Sequence, residues 1–150
     1  MKTAIVLQRI LPPLWCGMVF AIAMEAPLKF QAPGITRELG LGIGKLVFTA
    51  LNRVECVIAV TLAIALFAFA SRKTARIVFG TITVVLLAQT FWLMPLLIER
   101  IDLITAGQIP PDSPIHFVYI VLEITKIALL LFLSVLLNRQ TEIFKDEIRH

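Results

Sequence analysis

The chain has 150 residues, of which 59% are hydrophobic and 16% are charged, and its mean hydropathy is +0.91. These values exclude an ordinary soluble domain and predict a single integral membrane domain over residues 1–150. The net charge of +4 comes from basic residues in short runs between apolar segments, which is typical of topology signals and does not indicate nucleic-acid binding.

Four apolar segments are long enough to cross a bilayer, because a hydrocarbon core of about 30 Å needs roughly 20 helical residues. We therefore predict an all-α fold in which four transmembrane helices form a bundle. The predicted spans lie near residues 11–26, 44–70, 77–98 and 114–137. Residues 138–150 are strongly charged, and we expect them to extend the last helix into water.

The first predicted span begins at Pro12 and Pro13, since a helix tolerates proline best at its first positions. Ala21 and Ala23 are spaced like the cleavage site of a secretory signal, but Arg9 and the proline pair interrupt the apolar run that such a signal requires. We therefore expect a retained helix. The connector that follows is long for a helix bundle, and we expect it to fold back over the mouth of the bundle.

The second span has two interpretations. If its helix enters the membrane near Gly44, Arg53 and Glu55 lie roughly 15 Å deep; if only residues 54–70 are immersed, both side chains lie at the interface. The third span is the most uniform, and Gln89 is its main polar interruption.

Basic residues near the ends of the spans predict the orientation of the chain. The short loop between the second and third spans carries Arg72, Lys73 and Arg76, which favours the cytoplasmic side for this loop. Both termini then lie on the same side. We expect a protein of the bacterial inner membrane with cytoplasmic termini.

The fourth span contains ionisable residues at one helical face. His116, Tyr119, Glu123 and Lys126 are spaced by three, four and three residues, so Glu123 and Lys126 are close enough to pair. Ionisable residues within a span usually face the bundle interior and indicate a functional site. His116 by itself is more typical of a surface or capping histidine near a helix start.

If the second span is deeply immersed, residues of three helices reach a similar depth and form a polar layer in the outer half of the bundle. Its charges then balance, because buried ions must pair. Glu25 and His116 would lie at the mouth of this layer. The predicted members of the layer are Asn52, Arg53, Glu55, Gln89, Glu123 and Lys126.

Other chemistries have little support in the sequence. Cys16 and Cys56 belong to no CxxC or Cys/His cluster and are typical of apolar packing. We predict no metal site and no catalytic residues, since no hydrolase, nucleotide-binding or metalloprotease motif is present. The sequence identifies no cofactor.

A proline and an aromatic residue follow the first span at Pro27 and Phe30, and a histidine opens the last helix at His116. Phe48, Asn52 and Arg53 lie where the chain enters the second span. With these residues, the stretch 26–55 resembles a signature of small bacterial four-helix membrane proteins, which include a family of unknown function with a human transmembrane relative and the copper-resistance D-like proteins. The resemblance implies a four-helix bundle that handles a metal or another small ligand, but the chain lacks the extra histidines and methionine clusters expected of a copper transporter.

These observations predict a membrane protein whose buried polar layer binds or conducts a small polar or ionic ligand, as a transporter would. One alternative is that the layer only fixes the register of the helices. Another is a non-catalytic accessory or assembly subunit whose layer and tail meet partner helices. A membrane oxidoreductase that uses a quinone or haem at a shared interface is a third class. The expected partners are the lipid bilayer, a small ligand, and either a second copy of the chain or other membrane subunits.

Overall fold

The computed structural model describes residues 2–68 and 72–149, with side chains described for 3–68 and 72–139. Every regular element in these ranges is helical. The elements are α1 (Lys2–Leu28), α2 (Arg37–Ala68), α3 (Lys73–Ala88), α4 (Met94–Thr105) and α5 (Ile115–Arg149), with a short 3-10 turn at Lys29–Gln31 and a π-helical turn at Gln89–Leu93.

Four helices of the described chain are long and apolar enough to cross a membrane. They are Thr3–Gln31, Arg37–Ala68, Lys73–Thr105 and Ile115–Arg139, because α3, the π-helical turn and α4 run on as one helix. The predicted all-α fold with four candidate spans is therefore confirmed. The predicted helical tail continues α5 to Arg149, and its side chains from residue 140 onward lie outside the described residues.

The helices close a ring. Helix α1 packs against α2 and α5, and α3 packs against the same two neighbours from the other side. We call the end of the bundle with the connector 29–36 and the loop 106–114 the connector end, and the opposite one the terminal end. The terminal half has the larger core, in which Trp15, Leu62, Leu66, Ile82 and Leu130 are completely buried.

Helix α1 begins at Lys2, so the prediction that Pro12 and Pro13 open the first helix was wrong. Both prolines lie inside the helix, and Pro12 is buried against its neighbours. Proline removes one backbone donor, but helices packed in a membrane bundle tolerate it because neighbouring groups satisfy the freed carbonyl. The apolar residues before the pair extend the helix toward the terminal end.

The third span contains the π-helical turn, which changes the hydrogen bonding of the helix without breaking it. The backbone N–H of Met94 donates to the carbonyl of Gln89, five residues earlier, and Pro95 next in the chain has no N–H to offer. A π-helical turn inserts one extra residue into the helix and changes which side chains face inward. Here it leaves Gln89, Leu93 and Met94 all buried.

The connector folds against α2. Gly34 has a φ of 81°, a left-handed conformation that glycine adopts without strain, and it turns the chain toward α2. The Thr36 hydroxyl accepts a hydrogen bond from the N–H of Leu39, which caps the start of α2. The Phe30 ring lies directly on Gly40, where any side chain would overlap it.

Candidate functional site

Lys126 is the centre of a buried polar cluster. Its ammonium nitrogen lies 2.6 Å from Glu55 Oε1 and 3.0 Å from Glu123 Oε1. It also donates to Gln89 Oε1 at 2.8 Å. These three contacts use all three donors of the ammonium group. We call Trp15, Glu55, Gln89, Glu123 and Lys126 the buried cluster.

Gln89 and Trp15 complete the hydrogen bonding of the carboxylates. The amide nitrogen of Gln89 donates to Glu123 Oε1 at 3.0 Å, while its oxygen accepts from Lys126. The Trp15 indole N–H donates to Glu55 Oε1 at 2.7 Å. Each of the four candidate spans thus contributes at least one side chain to the cluster. The side-chain amide of Gln89 comes from the π-helical turn.

The buried cluster is almost completely shielded from the surroundings. The exposed fraction is 0% for Lys126, 1% for Glu55, 1% for Gln89 and 8% for Glu123. Glu123 Oε2 is the one buried side-chain oxygen or nitrogen in the described residues without a hydrogen-bond partner. A buried polar atom without a protein partner is rare in folded proteins, and a water, an ion or a proton can satisfy it.

Arg53 does not join the cluster, and the expected balance of two positive against two negative charges does not hold. Its side chain is exposed, whereas Glu55 is buried. Residues two apart on a helix point in different directions, so α2 cannot turn both inward at this level. The cluster therefore has two carboxyl groups for a single ammonium group.

Asn52 lies near the cluster without contacting its charges. Its side-chain amide donates to the Thr90 hydroxyl at 2.8 Å, which joins α2 to the π-helical turn next to Gln89. The Thr90 hydroxyl in turn donates to the carbonyl of Leu86 at 2.7 Å. This pair ties α2 to the turn that positions Gln89.

Tyr119 connects the cluster to the connector end. It is buried, lies one turn of α5 from Glu123, and is near both carboxyl groups. Its ring packs edge-on against Phe48, with 5.8 Å between the ring centroids. The ammonium group of Lys29 lies 5.8 Å from the centroid of Phe48 on α2. A continuous series of contacts thus runs from the connector to Glu123.

Glu25 and His116, which were expected at the mouth of the layer, do not touch the buried cluster. Glu25 pairs with Lys29 at 3.4 Å, one helical turn away. His116 is exposed and lines the opening of the cavity described next.

A cavity of about 690 Å³ occupies the connector half of the bundle. Its walls are apolar and come from all four candidate spans, and its floor includes Glu123 and Tyr119. Glu123 is the only acidic residue of the described chain among those that line it. The basic side chains at its rim are Lys29, Arg37, Lys45 and Arg100.

Sequence reasoning missed Trp15, the cavity and the role of the basic residues at the rim. A tryptophan in the middle of an apolar span was a usable signal, because a buried indole N–H needs an acceptor and Glu55 lies on the neighbouring helix. The rim residues look like ordinary topology signals in sequence. Their convergence depends on the packing of α2 against the connector and α4.

Comparison with protein-family models, with curated proteins and with solved structures found no match. The resemblance to small bacterial four-helix membrane proteins therefore stays a prediction. The described residues also contain no group of three histidine, cysteine or acidic side chains arranged to hold a metal ion.

Proposed function

We propose that this membrane protein binds a proton at the buried cluster and that Glu123 is the group that holds it. The observation that carries the proposal is the unpartnered Glu123 Oε2 in a cluster of two carboxyl groups and one ammonium group. With both carboxyl groups ionised, the cluster has one excess negative charge. One proton makes it neutral.

The excess charge is unfavourable at this position. Removing an ion from water has a penalty of several kcal/mol unless it is paired, and Lys126 can neutralise only one carboxylate. Each carboxyl group accepts one charged and one neutral hydrogen bond, but the Lys126 ammonium group lies 2.6 Å from Glu55 and 3.0 Å from Glu123, so it stabilises the ionised form of Glu55 more strongly. Glu123 is farther from the ammonium group, and its Oε2 accepts no hydrogen bond of normal geometry, so we assign the proton to this oxygen.

The surroundings of the cluster favour binding over conduction. On the connector side Glu123 lines the cavity, which gives a route for a proton or a hydrogen-bond donor to reach the carboxyl group. On the terminal side Leu62, Leu130 and Leu133 are completely buried in the apolar core. This arrangement supports a site that exchanges with one end of the bundle only.

The basic loop after α2 supports an orientation with cytoplasmic termini in a bacterial inner membrane. In that orientation the cavity opens away from the cytoplasm, and Glu123 exchanges protons with the outer side.

Infrared difference spectroscopy of the protein in lipid nanodiscs tests the proposal. We expect a protonated carboxyl band at neutral pH that shifts on exchange into deuterated water. The band should be absent in Glu123→Gln and unchanged in Glu99→Gln, which removes an exposed acid of α4.

Two results would overturn the assignment. If the wild-type protein has no protonated carboxyl band at neutral pH, the cluster holds no proton. If the band persists in Glu123→Gln and disappears in Glu55→Gln, the proton is held by Glu55 and not by Glu123.

A further inference from the structure

We infer that the connector-end cavity binds an anionic phospholipid from the surrounding bilayer. In this arrangement the phosphate lies at the rim between Arg37 and Arg100, and an acyl chain occupies the apolar cavity. The inference uses the rim and the walls of the cavity, so it does not depend on a proton at Glu123.

The rim has positive charge that the protein compensates only in part, because Glu38 interacts electrostatically with Arg37 but forms no ion pair with it. Lys29 pairs with Glu25, and Lys45 pairs with Asp102. Arg37 and Arg100 have no carboxylate within ion-pair distance among the residues that the structure describes. Arg100 donates one guanidinium N–H to the carbonyl of Pro111, which orients the group without neutralising it. Two such arginines match a phosphate diester, which offers several acceptor oxygens.

The cavity below the rim suits a hydrocarbon chain. Its volume of about 690 Å³ falls within the range of sites that enclose a small ligand. Between the rim and Glu123 its walls are formed by apolar side chains from every candidate span. Representative members are Ile22, Leu51, Leu97, Ile98 and Ile120.

Residues of α1 and α5 that line the cavity are also exposed, which favours an opening of the cavity between these two helices. Ile120 and Ile124 line it and are 41% and 62% exposed. Ala23 on α1 lines it as well, and its side chain is exposed. Because Cys16 lies 4.0 Å from the carbonyl of Ile127 and the two helices are antiparallel, Ala23 and Ile120 lie at a similar level. A small alanine at this seam leaves a side entrance through which a chain can pass from the bilayer.

The connector keeps the rim in place. Lys29 lies 5.7 Å from the centroid of Phe30 and 5.8 Å from that of Phe48, which are cation–π distances. Gly40 gives the Phe30 ring room to lie on α2, and the Lys29 ammonium group approaches Gly44 in the same way. These contacts of Lys29 and Phe30 with α2 hold the mouth open, with basic groups around an apolar space.

Native mass spectrometry of the purified protein tests this inference. Phosphatidylglycerol or phosphatidylcholine is added to the protein in detergent, and the lipid retained after collisional activation is counted. We expect a single phosphatidylglycerol to be retained in preference to phosphatidylcholine. Arg37→Gln/Arg100→Gln should lower that retention on the order of tenfold, since each basic group near a lipid phosphate contributes measurably to binding.

The matched control is Lys73→Gln/Arg139→Gln, which also removes two positive charges but lies at the terminal end. It should retain phosphatidylglycerol as the wild-type protein does. A second variant, Ala23→Phe, fills the seam between α1 and α5 without changing the charge and should also lower retention.

Three results would overturn the inference. These are equal retention of the two lipids, an equal loss in both double variants, and unchanged retention in Ala23→Phe. Retention of other membrane subunits in place of lipid would also count against it and would favour an accessory role. The infrared test of Glu123 is separate, so either proposal can fail while the other survives.

Discussion

Replacement of Lys126 by methionine gives the sharpest test of the buried cluster. Lys126→Met keeps an unbranched side chain of similar length, so the packing of α5 is largely preserved. It removes the ammonium group that contacts Glu55 at 2.6 Å and Glu123 at 3.0 Å and leaves two buried carboxyl groups without a cation. Breaking a buried pair in this way typically destabilises a protein by about 3–5 kcal/mol. We expect a decrease of that size in the free energy of unfolding at neutral pH.

The decrease should depend on pH with a definite sign. The folded variant can avoid two uncompensated charges only by protonating both carboxyl groups, whereas the unfolded chain ionises them at neutral pH. The folded state then binds more protons than the unfolded state, so stability falls as the pH rises. The deficit of Lys126→Met against the wild-type protein should shrink toward acidic pH.

Unfolding can be followed by the fluorescence of Trp15, which contacts Glu55 directly. Both proteins would carry Trp92→Phe, because Trp92 is 62% exposed and would report on the surroundings instead. The companion variant Glu55→Gln/Lys126→Met/Glu123→Gln removes all three charges and should recover much of the lost stability. A Lys126→Met protein within about 0.5 kcal/mol of the wild-type value, or one whose deficit does not change with pH, would refute the reasoning.

Two further changes test single contacts of Trp15 and of Gly40. Trp15→Phe removes the indole donor to Glu55 and should lower the free energy of unfolding by about 1.5–3 kcal/mol, measured by chemical denaturation; an unchanged value would mean that the bond contributes nothing. Gly40→Ala places a methyl group against the Phe30 ring and should destabilise the connector by about 1–3 kcal/mol, seen as faster proteolysis at residues 29–36. Gly42→Ala is its control: nothing lies within 4 Å of the added methyl group, so cleavage should be unchanged or slower, and equal cleavage of the two variants would contradict the proposed contact.

The two proposals concern adjacent parts of one cavity. A bound acyl chain would displace water from the floor at Glu123, which disfavours a bare carboxylate there. Lipid binding and proton binding should therefore reinforce each other. The π-helical turn is the element that joins them, since Gln89 bonds the cluster and Met94 lines the cavity.

The sequence by itself determined the membrane class, the four helices and the shared face of Tyr119, Glu123 and Lys126. These features are local: hydropathy depends on composition within a segment, and the spacing of residues three and four apart defines a helical face wherever the helix packs. The pairing of Glu123 with Lys126 follows from the same spacing and is present in the structure.

Only the tertiary structure decided which of two neighbouring residues of α2 turns inward. The sequence alone does not distinguish Arg53 from Glu55, and the rotation of α2 against α1 and α4 buries Glu55 and exposes Arg53. That rotation brings Trp15 to Glu55 and leaves Lys126 with two carboxyl groups. The cavity has the same origin, because its walls come from residues far apart in the chain. Packing between helices depends on the shapes of all of them together, and no single segment contains that information.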